Sequence, residues 1–151
     1  MRNIVKIQQT EEIVSKDLRS NCPIAASLDI LGDRWSMLIL RDMLLSGKSQ
    51  FGELASTEGV ATNILADRLA TLVERGLIER VHDENDRRKF HYRLLRPGVE
   101  LLPVIAELVV WGVRNTKVTA VAEYEDMLDS KNRGDFVQNR QRQLLAEIDA
   151  A

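Results

Sequence analysis

With one cysteine, three prolines and eight glycines in 151 residues, this chain has few covalent or conformational staples. A single thiol cannot close an intramolecular disulfide, so a disulfide framework is excluded. So little glycine and proline excludes collagen-like and linker-rich chains. Long hydrophobic runs are also missing, and none approaches the roughly 18 residues that a membrane span requires. The start Met1-Arg2-Asn3-Ile4-Val5-Lys6 lacks the apolar core of a secretory signal, so a cytoplasmic protein with no membrane partner is expected. Charge of one sign is absent too. With 21 basic and 23 acidic residues the formal net charge is −2, so any contact with nucleic acid requires positive charge gathered locally.

Signatures of catalysis are also lacking. There is no glycine-rich phosphate loop, no Gly-x-Ser-x-Gly and no Ser/His/Asp set in a usable frame. The two histidines, His82 and His91, match no zinc spacing and read as polar strand residues. Neither enzyme activity, a metal nor a cofactor is expected.

What is present is an ordinary soluble composition, 44% hydrophobic and 29% charged, sufficient for one core. Residues 10–18 carry a short amphipathic pattern with Ile13, Val14 and Leu18 on one side. Pro23 suits a first helical position, and the helix it opens stops at Gly32. Asp33 is a good N-cap for a helix over 34–46 that is apolar nearly all round and is therefore central. Helical patterns follow over 51–55 and 62–75, joined by Thr57-Glu58-Gly59-Val60-Ala61. Past Gly76 the period changes to that of strands. Leu77 to His82 and Lys89 to Leu94 flank the turn composition Asp83-Glu84-Asn85-Asp86, which predicts a hairpin. From Pro97 an apolar helix runs to Val113, with Pro103 either kinking it or marking its first turn. The expected organisation is an N-terminal arm (1–20), a central domain (21–115) and a charged helical extension (116–151). The fold class is mainly α with one β-hairpin, a winged helix-turn-helix with N- and C-terminal dimerisation helices.

Several separated blocks within residues 20–115 then narrow the reading. Cys22-Pro23-Ile24, Leu31-Gly32-Asp33-Arg34-Trp35 and Leu38-Ile39-Leu40-Arg41-Asp42 stand in order before Phe51-Gly52-Glu53-Leu54. After them come Ile64-Leu65-Ala66-Asp67-Arg68-Leu69 and Leu72-Val73-Glu74-Arg75-Gly76-Leu77-Ile78, then Leu101-Leu102-Pro103 and Trp111-Gly112. In these the chain resembles the HxlR-type bacterial transcription regulators. The resemblance implies a homodimeric, MarR-like winged-helix protein that binds double-stranded DNA as repressor or activator. The segment Asp83-Glu84-Asn85-Asp86-Arg87-Arg88 is more polar than the family's wings, which are often rich in proline and apolar residues. A winged-helix protein-interaction module that does not bind DNA is the alternative reading. The sequence names no operator and no small-molecule ligand.

With Thr62 as N-cap and about 100° per residue, Ile64, Leu65, Leu69 and Leu72 share the core arc. The opposite arc presents Asn63, Ala66 and Asp67 as candidate base contacts. A carboxamide can bond adenine at two atoms, small alanines permit close approach, and a carboxylate can accept from cytosine although it repels phosphate. Arg68 falls on the core side and reads as a tie between helices. Thr62 reads first as a cap and otherwise as a phosphate contact. Arg87, Arg88 and Lys89 at the hairpin tip are candidate phosphate contacts, unless Asp83, Glu84 and Asp86 merely balance them in a solvated turn. Surplus apolar residues, namely Ile13, Val14 and Leu18 with Leu101, Ile105, Leu108, Val109 and Trp111, are expected in a dimer interface. The alternative is that these two helices pack on each other within one chain. Cys22 matches a family position that senses oxidants or electrophiles in several members. A helix N-terminus favours the thiolate, and Arg19 lies one turn away. The bland alternative is a small structural side chain.

Overall fold

The computed structural model describes residues 19–119 and 122–151. These form eight α-helices, two 3-10 turns and one antiparallel hairpin. The helical pattern at 10–18, with Ile13, Val14 and Leu18, lies outside the described residues. Helix α1 (Pro23–Leu31) opens on its proline and closes at Gly32, whose N–H donates to the Leu28 carbonyl at 2.7 Å. The central helix α2 (Ser36–Ser46) starts two residues later than the sequence suggests. Asp33 still serves its N-terminus, but its Oδ1 accepts the amides of Trp35 and Ser36 at 2.7 and 2.9 Å, which leaves 34–35 in a turn. Gly47, at φ 65°, ends α2 in the left-handed conformation that glycine adopts without steric penalty.

Helix α3 (Phe51–Leu54) is held by Glu53, whose carboxylate accepts the Ser49 and Gln50 amides at 2.9 Å each. A 3-10 turn (Thr57–Gly59) leads into α4 (Thr62–Glu74). The hairpin pairs β1 (Ile78–His82) with β2 (Phe90–Leu94) in the register Ile78↔Leu94 to His82↔Phe90. Its outer edge is not left bare, because the Tyr92 amide donates to the Ser49 carbonyl at 2.7 Å. That bond pins the base of the hairpin to the segment preceding α3.

A short helix α5 (Arg96–Val99) then brings Gly98 against β1. A Cβ on this residue would stand 2.4 Å from the Leu77 carbonyl oxygen, so the approach requires glycine. Helix α6 (Leu102–Asn115) carries Pro103 in its first turn, which resolves the choice between a kink and a helix start. After a 3-10 turn (Ala122–Tyr124), α7 (Glu125–Leu128) and α8 (Arg133–Asp149) fold back onto the domain. Met127, Val137 and Leu144 join the core around Leu40, Leu44, Leu69 and Leu102. Arg140 Nε caps the end of α2 by donating to the Leu44 carbonyl at 2.8 Å, and Arg96 pairs with Asp149 at 3.1 Å. No helix among the described residues is long and apolar enough to cross a membrane.

Candidate nucleic-acid interface

Helix α4 presents two different faces. Leu65, Leu69 and Leu72 are fully buried, while Asn63, Ala66, Asp67, Ala70 and Glu74 face solvent. Ile64 departs from the expected core arc. It lies on the flank of the helix and is 36% exposed, because the buried arc centres between Leu65 and Leu72. Thr62 is not the N-cap. The extended residue there is Ala61, and Thr62 is the first helical residue, with its side chain exposed. Among the described residues no side chain caps α4, so its first-turn amides are without a side-chain partner there.

The candidate base contacts differ in their freedom. Asn63 has no side-chain hydrogen bond among the described residues, whereas Asp67 is held by Arg68 at 2.8 Å. Arg68 also reaches Asp33 at 3.7 Å and so ties α4 to the start of α2, as its position on the core side suggests. Burial pushes the Asp33 carboxyl up, but the bonds from Ser36 and Trp35 and the nearby Arg68 outweigh it and hold the group below the usual range.

Beneath the turn between α3 and α4 lies a charged cluster that the sequence reading passed over. Asp42, on the buried side of α2, accepts from Lys48 Nζ at 2.7 Å and from the Thr57 hydroxyl at 2.6 Å, and it pairs with Arg41 at 2.7 Å. Arg41 reaches on to Glu58 at 3.2 Å. Glu58 is the only non-glycine described at positive φ, 46°. That conformation is costly for a residue with a Cβ and requires support from its surroundings. Burial raises the Asp42 carboxyl, yet the three donors more than reverse this and keep it ionised below the ordinary range. The pair Arg41-Asp42 inside an otherwise apolar helix was the available signal.

The hairpin tip is built by its own acids. Asp83 accepts the Asn85 and Asp86 amides at 2.8 and 3.1 Å, and Asp86 accepts the Arg88 amide at 3.0 Å. Arg88 also pairs with Asp86 at 3.1 Å while remaining 91% exposed, and Arg87 and Lys89 are exposed beside it. The two aspartates therefore serve as turn-forming acceptors, and the cations project outward. Farther down, Arg80 stacks over Phe90 at 4.0 Å and Phe90 meets Tyr92 edge to face, contacts the sequence reading did not anticipate.

Of the apolar residues assigned to an interface, α6 keeps Leu108 and Trp111 in the open, 52% and 63% exposed, with Val104 on the same stripe. Ile105 belongs elsewhere. It is 4% exposed and packs into the chain's own core, and Leu101 and Val109 are half-buried against that core. Ile24 and Leu28 of α1 are exposed as well, which their sequence pattern did not reveal. Cys22 is exposed at the N-cap of α1, and its amide donates to Ser20 Oγ at 3.0 Å. Arg19 pairs with Asp29 at 3.0 Å, an engagement that the sequence reading of Arg19 beside the thiol did not include.

A buried helix, a helix-turn-helix pair and a pinned hairpin are thus in place, and residues 30–120 match the family model of the HxlR-like helix-turn-helix. The chain belongs to this family. An uncharacterized HTH-type transcriptional regulator of Mycobacterium tuberculosis is 38% identical over 89 residues, 59% of this chain and 56% of that protein. The chain thus spans little more than half the length of this HxlR-like relative. YdeP of Bacillus subtilis, also an uncharacterized HTH-type transcriptional regulator, is 30% identical over 119 residues, 76% of this chain and 92% of its own length. Among solved structures, PA1607 matches with a TM-score of 0.62 at 39% identity, over 68% of this chain and 73% of that one. The reduced form of the transcriptional regulator YodB from B. subtilis matches with a TM-score of 0.54 at 27% identity, over 67% of this chain and 100% of its own. The HxlR-like match ends near α7, so α7 and α8 lie beyond the part that defines the family.

Proposed function

We propose that the chain is a transcription regulator that binds double-stranded DNA as a homodimer on a palindromic operator. The observation that carries this reading is Asn63, exposed and unengaged at the N-terminal end of a helix whose opposite side is locked in the core. Such a helix end is the part that enters the major groove in helix-turn-helix proteins. In this reading Asn63 contacts a base edge and Ala66 admits close approach. Asp67 faces the groove with its charge offset by Arg68. Thr62 and the open amides of α4 hold a phosphate. Arg87, Arg88 and Lys89 hold phosphates farther along the duplex.

Selection of duplexes from random DNA, followed by titration across salt, tests this. Arg87→Ala is expected to weaken binding to all duplexes and to lower the salt slope by about one for each phosphate that a subunit no longer holds. An unchanged slope removes the hairpin from the interface. Asn63→Ala is expected to cost about 1–3 kcal/mol per half-site on the selected operator and little on random DNA. Equal losses on both would make Asn63 a positioning residue.

The stripe Val104, Leu108 and Trp111, with Ile24 and Leu28 on α1, supports the homodimer reading. Light scattering at micromolar concentration is expected to give twice the chain mass, and Trp111→Glu to lower it toward the monomer. A wild-type monomer would overturn the dimer.

Cys22, exposed beside the N-terminal amides of α1, supports a thiol-sensing role. Diamide or a quinone is expected to change the operator affinity of the wild type and to leave Cys22→Ser unaffected. With one thiol per chain, the product is an intersubunit disulfide, a mixed disulfide or an adduct. Identical operator binding by treated and untreated wild type makes Cys22 structural.

A further inference from the structure

A groove of about 570 Å³ opens between α2, α6 and the residues Val118, Thr119, Glu123 and Tyr124. Met37, Val109, Val113 and Val118 wall it, which suits an apolar body of small-molecule size. Its polar end is formed by Arg41, Glu58, Glu123 and Tyr124. Among the described residues the one cation there, Arg41, is already committed, held by Asp42 at 2.7 Å and by Glu58 at 3.2 Å. Glu123 has no ion pair among the described residues. Two carboxylates against one engaged guanidinium make this end net acidic. An anion would have to strip Arg41 from its partners, whereas a cation meets Glu123, engaged among the described residues only by the Tyr124 hydroxyl, and competes with Arg41 for Glu58.

Glu58 joins the groove to the helix-turn-helix. It sits at φ 46° in the turn that leads into α4, and among the described residues its ion pair is with Arg41. A ligand that draws Glu58 toward the groove removes that support from a backbone conformation that needs it.

We propose that this groove is an effector site for a lipophilic monocation, an aromatic or alkyl ammonium, whose binding loosens the Thr57–Gly59 turn and weakens the hold on DNA. The regulatory half rests on the DNA-binding reading above; the binding site does not. Reciprocal coupling requires that ligand and duplex lower each other's affinity by the same factor, here expected to be about tenfold.

The test uses the full chain and a matched probe pair, naphthylmethyl-trimethylammonium and naphthylacetate, in titration calorimetry. The cation is expected to bind at least about tenfold more tightly than the anion, the factor that about 1.4 kcal/mol of charge preference gives. Glu123→Gln is expected to erase most of that preference, and Val113→Trp to block both probes. Hydrogen exchange of amides 57–62 is expected to quicken with the cation bound, a readout that needs no DNA. Equal binding of the two probes, or binding untouched by both variants, overturns the site. Probe affinity that rises on dilution to monomer shows a second copy of the chain covering the groove and also overturns it. Tight cation binding with unchanged exchange and unchanged duplex affinity overturns the regulation. A chain that binds no duplex at all, while the calorimetry and exchange behave as expected, instead sinks the DNA reading.

Discussion

Asp42→Ala is expected to destabilise the chain by about 3–5 kcal/mol, the range seen when one partner of a buried ion pair is removed. Asp42 is 4% exposed and is the shared acceptor for Arg41, Lys48 and the Thr57 hydroxyl. Alanine would leave two cations and a buried hydroxyl facing a void. Asp42→Asn keeps the shape and an acceptor for Thr57, so a smaller loss is expected. Urea unfolding of the three proteins at neutral pH measures this, and a loss below about 1 kcal/mol for alanine would mean that water replaces the carboxylate. The pH dependence has a definite sign. The folded-state Asp42 carboxyl lies below its ordinary value, so its contribution is present above that value and fades as pH falls through the folded one. Wild type is therefore expected to lose stability more steeply than Asp42→Asn below about pH 4.

Leu144→Ala is expected to cost about 2–5 kcal/mol, toward the lower end of that range, because the pocket beside it is open to solvent and water can occupy the added space. Leu144 is 6% exposed on α8 and borders an open pocket of about 280 Å³ that is also lined by Met43, Tyr92 and Leu94. Truncation enlarges a space that already separates α8 from the base of the hairpin. The loss is expected to reach DNA binding as well, since the pocket is also lined by His91, Tyr92 and Arg93 of β2, the strand that carries the hairpin tip. Thermal unfolding together with duplex titration checks both. A loss under about 1 kcal/mol would mean that α8 is dispensable to the core.

Much of this architecture was legible from punctuation. Pro23, Gly47 and Gly76 mark helix ends by backbone geometry, Gly32 by the closeness of the Leu28 carbonyl, and the change from helical to alternating period after Gly76 marks the hairpin. Three features escaped for physical reasons. The apolar residues of 116–151 are sparse among charges, so their pattern reads as a charged helical extension without a place for it, whereas Met127, Val137 and Leu144 are buried in the core. Asp42 occurs in a stretch where every neighbour predicts burial, and composition does not reveal which donors will meet a carboxylate there. The edge of the α4 core arc was set one position too wide at Ile64, since a periodicity argument fixes the centre of a face better than its border. Within the candidate site, Asn63 and the cations at the hairpin tip came from the sequence. The engagement of Asp67 by Arg68 and the positive φ of Glu58 required coordinates.

The bond from Arg140 to the Leu44 carbonyl spans 96 positions of chain. Most other contacts in this fold are local, between adjacent helices or across the hairpin, and can form as soon as each segment exists. The carboxyl end of α2 is different, because its cap is translated 96 positions after the carbonyl it holds. Until then the nascent chain carries an open apolar seam along Leu44 and Leu102. Synthesis itself therefore sets the order of events, with the helix-turn-helix assembled first and the core sealed only once α8 has emerged. Ribosome-bound chains stalled before residue 133 should accordingly be more open to proteolysis than the released protein.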